Sequence, residues 1–383
     1  EVDTLVMNER MAGDFLFPDA HLENFSVKWT PEEDKFWVKT KDTPFKFYDD
    51  FVSFSGESTI QKDGVFAKGI VESKGSRFES EDISFENNTF GSRHALFEML
   101  SGNPDKPLLE GTDVRLDFNL NDSTATISPE VEGEAAIVFP YAQFNTSITE
   151  AKWDLEEQKI FMTKPEDVAI ESSYFYTTRE DLDSLAFNAT SAEYDLNTNE
   201  LKVMGIPYIT VADARITPEN GEVLILENSK IGRLTNTTIV LDTLNGYHTL
   251  TDGVIDVISR NEFTGYATYH FINSLGDSVP VRFDNFRLET MEFGSGRKAY
   301  TEQHSVADGN VREDQDAMVA PGMFYKGGMT LYAHKPQLEL NGYIKLAMDE
   351  PGYDTWIKHS STGDEEKVVL NFQDNVTEDG RPV

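Results

Sequence analysis

Ala151-Lys-Trp-Asp-Leu-Glu-Glu-Gln-Lys-Ile-Phe-Met162 decides the reading of this chain, because its grammar returns in Val27-Lys-Trp-Thr-Pro-Glu-Glu-Asp-Lys-Phe-Trp-Val38 and in Ala192-Glu-Tyr-Asp-Leu-Asn-Thr-Asn-Glu-Leu-Lys-Val203. In each copy an aromatic residue (Trp29, Trp153, Tyr194) ends a strand-like run and a polar stretch turns the chain. An apolar residue seven places on (Phe36, Ile160, Leu201) then begins the return run. Each copy therefore reads as a β-hairpin. A looser copy follows in Ala214-Arg-Ile-Thr-Pro-Glu-Asn-Gly-Glu-Val223, where Ile216 and Val223 hold the two apolar places and Pro218 with Asn220-Gly221 supplies the turn. Met329 to Leu340 is a further candidate. A lone hairpin cannot bury its apolar face, so stacked copies are expected to share a continuous core.

Outward from these hairpins the signal stays β. Period-two alternation marks Asp113 to Leu120, Val223 to Glu227 and Val281 to Leu288, each bounded by Gly, Asn, Asp or Pro. The 26 Phe and 14 Tyr supply the bulky residues that pleated surfaces favour. Helical patterning is scarce, the best runs being Arg93 to Ser101 and the first dozen residues. The expectation is an all-β chain, an elongated antiparallel β-jellyroll or solenoid of repeated hairpins with few short helices. Residues 1–293 are expected to form the hairpin region. Residues 294–321, a polar stretch with little periodicity, are expected to form a loop, and 322–383 to add further strands and an acidic C-terminal region continuing the same sheet.

Charge and composition narrow the function. Against 33 Lys and Arg stand 68 Asp and Glu, a formal charge of −35 that repels polyanions, so nucleic acid and anionic membranes are poor partners. Cysteine is absent, which removes disulfides and thiolate chemistry and suits a bacterial exported protein better than a eukaryotic secreted one. The seven Asn-x-Ser/Thr triplets then mean Asn-rich turns rather than glycosylation. The chain starts at Glu1 without an initiator Met and shows neither a signal peptide nor an apolar run of about 18 residues. It is expected to be a mature chain or a fragment, and not itself transmembrane.

Chemistry-bearing motifs are missing. The seven His residues form no His-Glu-x-x-His and no pair at ligand spacing, so no metal and no cofactor is expected. There is no Gly-x-Ser-x-Gly elbow and no phosphate loop. Asp117-Phe-Asn-Leu-Asn-Asp122 suggests a calcium loop but lacks the Gly at its sixth place and has Ser128 where the bidentate Glu belongs. Two carboxylates for glycoside cleavage need no motif, which leaves that chemistry open. Trp29 and Trp153, at the repeated hairpin position, are expected to be core or staple residues rather than sugar platforms.

The string Ser191 to Gly205, followed by Val211-Ala-Asp-Ala-Arg-Ile216, resembles the OstA-like hairpin repeat of the lipopolysaccharide-transport bridge proteins. The resemblance implies a β-jellyroll trough with an apolar interior and a lipid ligand as one alternative. Leu241 to His248 with Ser259 to Tyr269 is similar to large exported proteins of Bacteroidota, some of which accompany outer-membrane secretion. Asp3-Thr-Leu, Asp122-Ser-Thr, Asp183-Ser-Leu, Asp242-Thr-Leu and Asp277-Ser-Val are similar to the O-glycosylation sequence of that phylum's periplasm. Together these imply a non-enzymatic, periplasmic or outer-membrane-associated protein that presents a β-trough to an outer-membrane or periplasmic partner. A lipid or lipopolysaccharide carrier and a carbohydrate-binding or carbohydrate-cleaving module are the alternatives.

Overall fold

The computed structural model describes residues 4–12, 15–131, 136–273, 276–294, 300–348, 354–362 and 376–382. The chain is all-β and its strands pair antiparallel. Helical structure among the described residues is confined to single 3-10 turns such as Glu219–Gly221 and Glu313–Gln315. No helix among them is long and apolar enough to cross a membrane. Leu109–Asn119 shows why strands form: Val114, Leu116 and Phe118 are buried while Arg115 and Asp117 face water, the alternation that a half-buried pleat demands.

The chain divides into two compact units, the first comprising 1–179, 188–205 and 224–230, the second 180–187, 206–223 and 231–383. In the first unit one ladder runs Phe25–Thr30, Lys35–Thr40, Val52–Gln61, Gly64–Ser73, Ser76–Phe85, Thr89–Met99 and Leu109–Asn119. It continues through Thr124–Pro129, Ala151–Asp154, Lys159–Thr163, Ser191–Asp195 and Glu200–Met204. Shorter strands make a second course: Ile137–Phe139, Phe144–Thr146 and Tyr174–Thr177 grow from Leu109–Asn119. Phe45–Phe47 likewise pairs with the first half of Val52–Gln61. The core lies between the courses, where Phe139 of the second meets Tyr194 of the first edge-on at 5.6 Å. An aromatic spine threads it: Phe47 stacks on Phe85 at 4.2 Å, Phe85 on Phe90 at 6.2 Å, Phe90 on Phe118 at 4.3 Å, and Phe118 meets Trp153 at 6.1 Å.

In the second unit the ladder runs Ile209–Val211, Ala214–Thr217, Leu234–Leu241, His248–Ser259, Glu262–Ile272, Ser278–Phe293 and Tyr300–Val311. Met323–Tyr332, Glu339–Leu346 and Ile357–Ser361 complete it. Met329 stands opposite Leu340, so the candidate hairpin there closes in register.

Four expectations are corrected. Arg93 to Ser101 is not helical: it lies mostly in strand Thr89–Met99, where Ala95, Phe97 and Met99 face the core alternately. The described part of the first dozen residues is also extended, in Thr4–Met7 and Arg10–Ala12. Residues 294–321 are not a loop, because Tyr300–Val311 is flanked on both sides, by Ser278–Phe293 and Met323–Tyr332; only 295–299 of that stretch lie outside the described residues. Its polarity hid it, since strands with neighbours on both edges are specified by pairing as much as by apolar side chains. Finally, Ala214–Thr217 and Val223–Ile225 are not paired with each other. Ile216 stands opposite Ile209 and Ile239 instead, because the 3-10 turn Glu219–Gly221, with Asn220 at φ 55°, carries the chain away rather than back.

Candidate functional site

The structure sets the aromatic and its apolar partner directly opposite each other in all three clear hairpins: Trp29 with Phe36, Trp153 with Ile160, Tyr194 with Leu201. Trp153, Ile160, Tyr194 and Leu201 are fully buried, as are Ile216 and Val223. Trp153 Nε1 and Tyr194 Oη find no hydrogen-bond partner, and burial pushes the Tyr194 hydroxyl above the ordinary tyrosine range. Trp29 and Phe36 differ: they are 58% and 41% exposed, and their rings stack at 5.8 Å, 7° from parallel. Of the two roles expected for Trp29, core or staple residue, its exposure excludes the core, and the stacked contact with Phe36 is what it makes instead.

Position in the ladder is the cause. Trp153 has a strand on either side, facing Ala125 and Ile160, whereas Phe25–Thr30 is an edge whose one described pairing is to Lys35–Thr40. The inner row Trp29, Phe36, Ile60, Val65 passes from solvent at Trp29 to full burial at Val65. The next inner row begins at Val27, 39% exposed, and is buried from Val38 onward. An apolar face that belongs to the core thus runs out to water at the edge. Phe25–Thr30 has neither Pro nor a bulge, and its one charged residue, Lys28, lies on the outer face, away from Val27 and Trp29.

The outer face of the same strands is built differently. One cross-strand row is Lys28, Trp37, Thr59, Phe66, and the adjacent row is Ser26, Lys39, Glu57, Lys68. Trp37 is 45% exposed. Glu57 bridges two lysines, with Lys39 Nζ 3.0 Å from one carboxylate oxygen and Lys68 Nζ 3.4 Å from the other. The hydrogen bond from Lys39, then that from Lys68, holds the Glu57 carboxyl below its ordinary range. Two hollows, about 460 and about 530 Å³, lie over this surface and share Lys39 and Glu57 in their walls.

A second cluster was not legible in sequence. His304 and His334 stand 4.7 Å apart ring to ring, each edge-on to Phe293. They meet because Val306 pairs with Tyr332, which brings residues 30 positions apart in sequence to one place. His304 Nε2 lies 3.3 Å from Glu302 without hydrogen-bond alignment, and Nδ1 lies 3.9 Å from Asp213. Asp213 itself accepts from the Ser305 amide at 2.9 Å and from the Ser305 hydroxyl. Among the described residues no group of three His, Asp or Glu is arranged to hold a metal ion. His248 is fully buried, with Nε2 2.7 Å from the Lys335 carbonyl oxygen. Desolvation lowers its pKa below the ordinary 6.5, so it is a neutral donor that ties strand His248–Ser259 to the turn after Met323–Tyr332.

The Asp117 to Asp122 segment is the end of a strand and its turn, where Asn119 Oδ1 accepts from the Asn121 amide at 3.0 Å. Comparison with family models, curated proteins and solved structures finds no match. The likeness to OstA-like repeats and to exported Bacteroidota proteins therefore rests on the sequence strings alone.

Proposed function

We propose that this chain is a non-enzymatic interaction protein of a bacterial envelope, exported and associated with the periplasm or outer membrane, that captures an outer-membrane partner through the edge strand Phe25–Thr30. The observation that carries the reading is the edge strand whose Val27 and Trp29, with Phe36 on the neighbouring strand, are exposed on a face that elsewhere is core. An edge strand offers a row of backbone donors and acceptors to an incoming strand, and apolar side chains beside it give that strand something to bury. Exposed apolar surface of this kind is costly to leave in water and marks contact sites. The cysteine-free, acidic composition suits the compartment.

The test is affinity capture from detergent-solubilised envelope with the whole chain as bait, run beside a Val27→Lys, Trp29→Ala, Phe36→Ala triple variant. The expected result is one reproducible outer-membrane protein held by the parent and lost by the variant. Equal capture by both would remove the edge from the reading, and recovery of lipid without protein would turn it to a carrier.

A further inference from the structure

The outer face of the N-terminal strands carries a second surface, on the side of the sheet opposite Val27, Trp29 and Phe36. We propose that the row Lys28, Trp37, Thr59, Phe66 and the row Ser26, Lys39, Glu57, Lys68 form a binding site for a neutral β-linked oligosaccharide. The aromatic row supplies a platform, since Trp37 and Phe66 are 45% and 40% exposed on one face of the sheet. The apolar face of a pyranose ring, with its axial C–H groups, covers such a ring and finds its negative π-face. The polar row lies two residues further along the strands, about 6.6 Å away, so hydroxyls at the rim of a stacked sugar fall over Glu57 and its lysines.

Glu57 is suited to that task. Each of its oxygens is held by one ammonium group, leaving acceptor capacity on the carboxylate and donors on both lysines. A vicinal diol donates one hydroxyl proton and accepts another hydrogen bond, which matches a fixed carboxylate–ammonium pair, and charge-assisted bonds are the strong ones. The two adjoining hollows, about 460 and about 530 Å³, fall in the size range of ligand sites and give room for more than one ring.

The alternatives fit less well. Lys35–Thr40 and Val52–Gln61 are paired on both edges, so their backbone groups are used and an extended peptide laid on this face has no ladder to join. An acidic glycan meets the field of a chain of net charge −35.

The test is calorimetric titration of the full chain with cellohexaose, xylohexaose and chitohexaose, supported by an array that also displays acidic glycans. Saturable binding to at least one of the three is expected. Trp37→Ala should weaken it about tenfold or more, the loss of one well-made contact. Trp37→Tyr, which keeps the platform and reports on folding, should stay within about threefold, and Glu57→Gln should weaken binding severalfold. Trp29→Ala, on the opposite face, should leave it unchanged, which separates this site from the edge. The proposal is overturned by silence of all three sugars, by a response to acidic glycans alone, or by binding that survives Trp37→Ala.

Discussion

Trp29 and Trp153 hold the same place in the same hairpin grammar, and replacing each with Ala should give different results. Trp153 is fully buried, edge-on to Phe118 at 6.1 Å and opposite both Ala125 and Ile160. Trp153→Ala removes transfer free energy and leaves a cavity that surrounding strands cannot close, a loss of about 3–5 kcal/mol. Trp29 is 58% exposed and packs on one ring, Phe36. Trp29→Ala gives up that stacking and little else, about 1 kcal/mol at most. Trp153→Phe should fall between them: it shrinks the ring but also removes an indole N–H that has no acceptor, and an unsatisfied buried donor costs about 1–3 kcal/mol.

The assay is urea unfolding followed by far-UV circular dichroism, with hydrogen exchange of the Leu109–Asn119 amides to place the change in the first unit. Both readouts avoid tryptophan emission, which the substitutions themselves alter. The expected order of destabilisation is Trp153→Ala, Trp153→Phe, Trp29→Ala. A Trp29→Ala loss equal to that of Trp153→Ala, or a Trp153→Ala loss under about 1 kcal/mol, would refute the claim that ladder position decides the role of the repeated aromatic.

Three further outcomes follow from the second unit. His248 is held neutral by burial, so its folded pKa lies below the unfolded 6.5; its contribution is complete above pH 6.5 and is lost as pH falls toward the folded value. The unfolding free energy should drop on acidification through that window, and His248→Gln should reduce the slope by up to about 1.4 kcal/mol per pH unit in denaturant titrations at several pH values. Gly342→Ala would drive a Cβ into the Lys326 carbonyl oxygen of the neighbouring strand, and a loss of about 2 kcal/mol or more is expected in thermal unfolding, against a smaller loss of about 1 kcal/mol, from backbone strain alone, for Gly322→Ala, whose Cβ would meet open space at φ 70°. Deleting 300–311 should unfold this unit, and the amides of Ser305 to Val311 should be among its slowest to exchange, whereas rapid exchange there would restore the loop reading.

The sequence is legible where local chemistry and pairing agree. A Trp or Tyr, a polar turn and an apolar residue seven places on bring the pairs Trp153–Ile160 and Tyr194–Leu201 into direct opposition, because turn length fixes register and register fixes faces. Legibility fails where the deciding neighbour is remote. Ser305, Val306 and Ala307 are buried in succession, an arrangement produced by strands on both sides and by Asp213 reaching from residue 213 to the Ser305 amide. Ala95, Leu96 and Met99 are good helix formers, yet a bulge between Ser92 and Ala95 resets the register so that Ala95, Phe97 and Met99 face the core in a strand. The candidate surfaces are illegible for the same reason. Trp29 and Trp153 are identical in type and motif, and what exposes Trp29 is that, among the described residues, Phe25–Thr30 has a paired strand on one side alone. Trp37, Lys39, Glu57 and Lys68 become a surface only when three strands are laid side by side, since no pattern within one strand links a tryptophan to a glutamate twenty residues on. Edges and outer faces are thus set by where a ladder stops and which strands adjoin, and that information is distributed over the whole chain rather than written in any one hairpin.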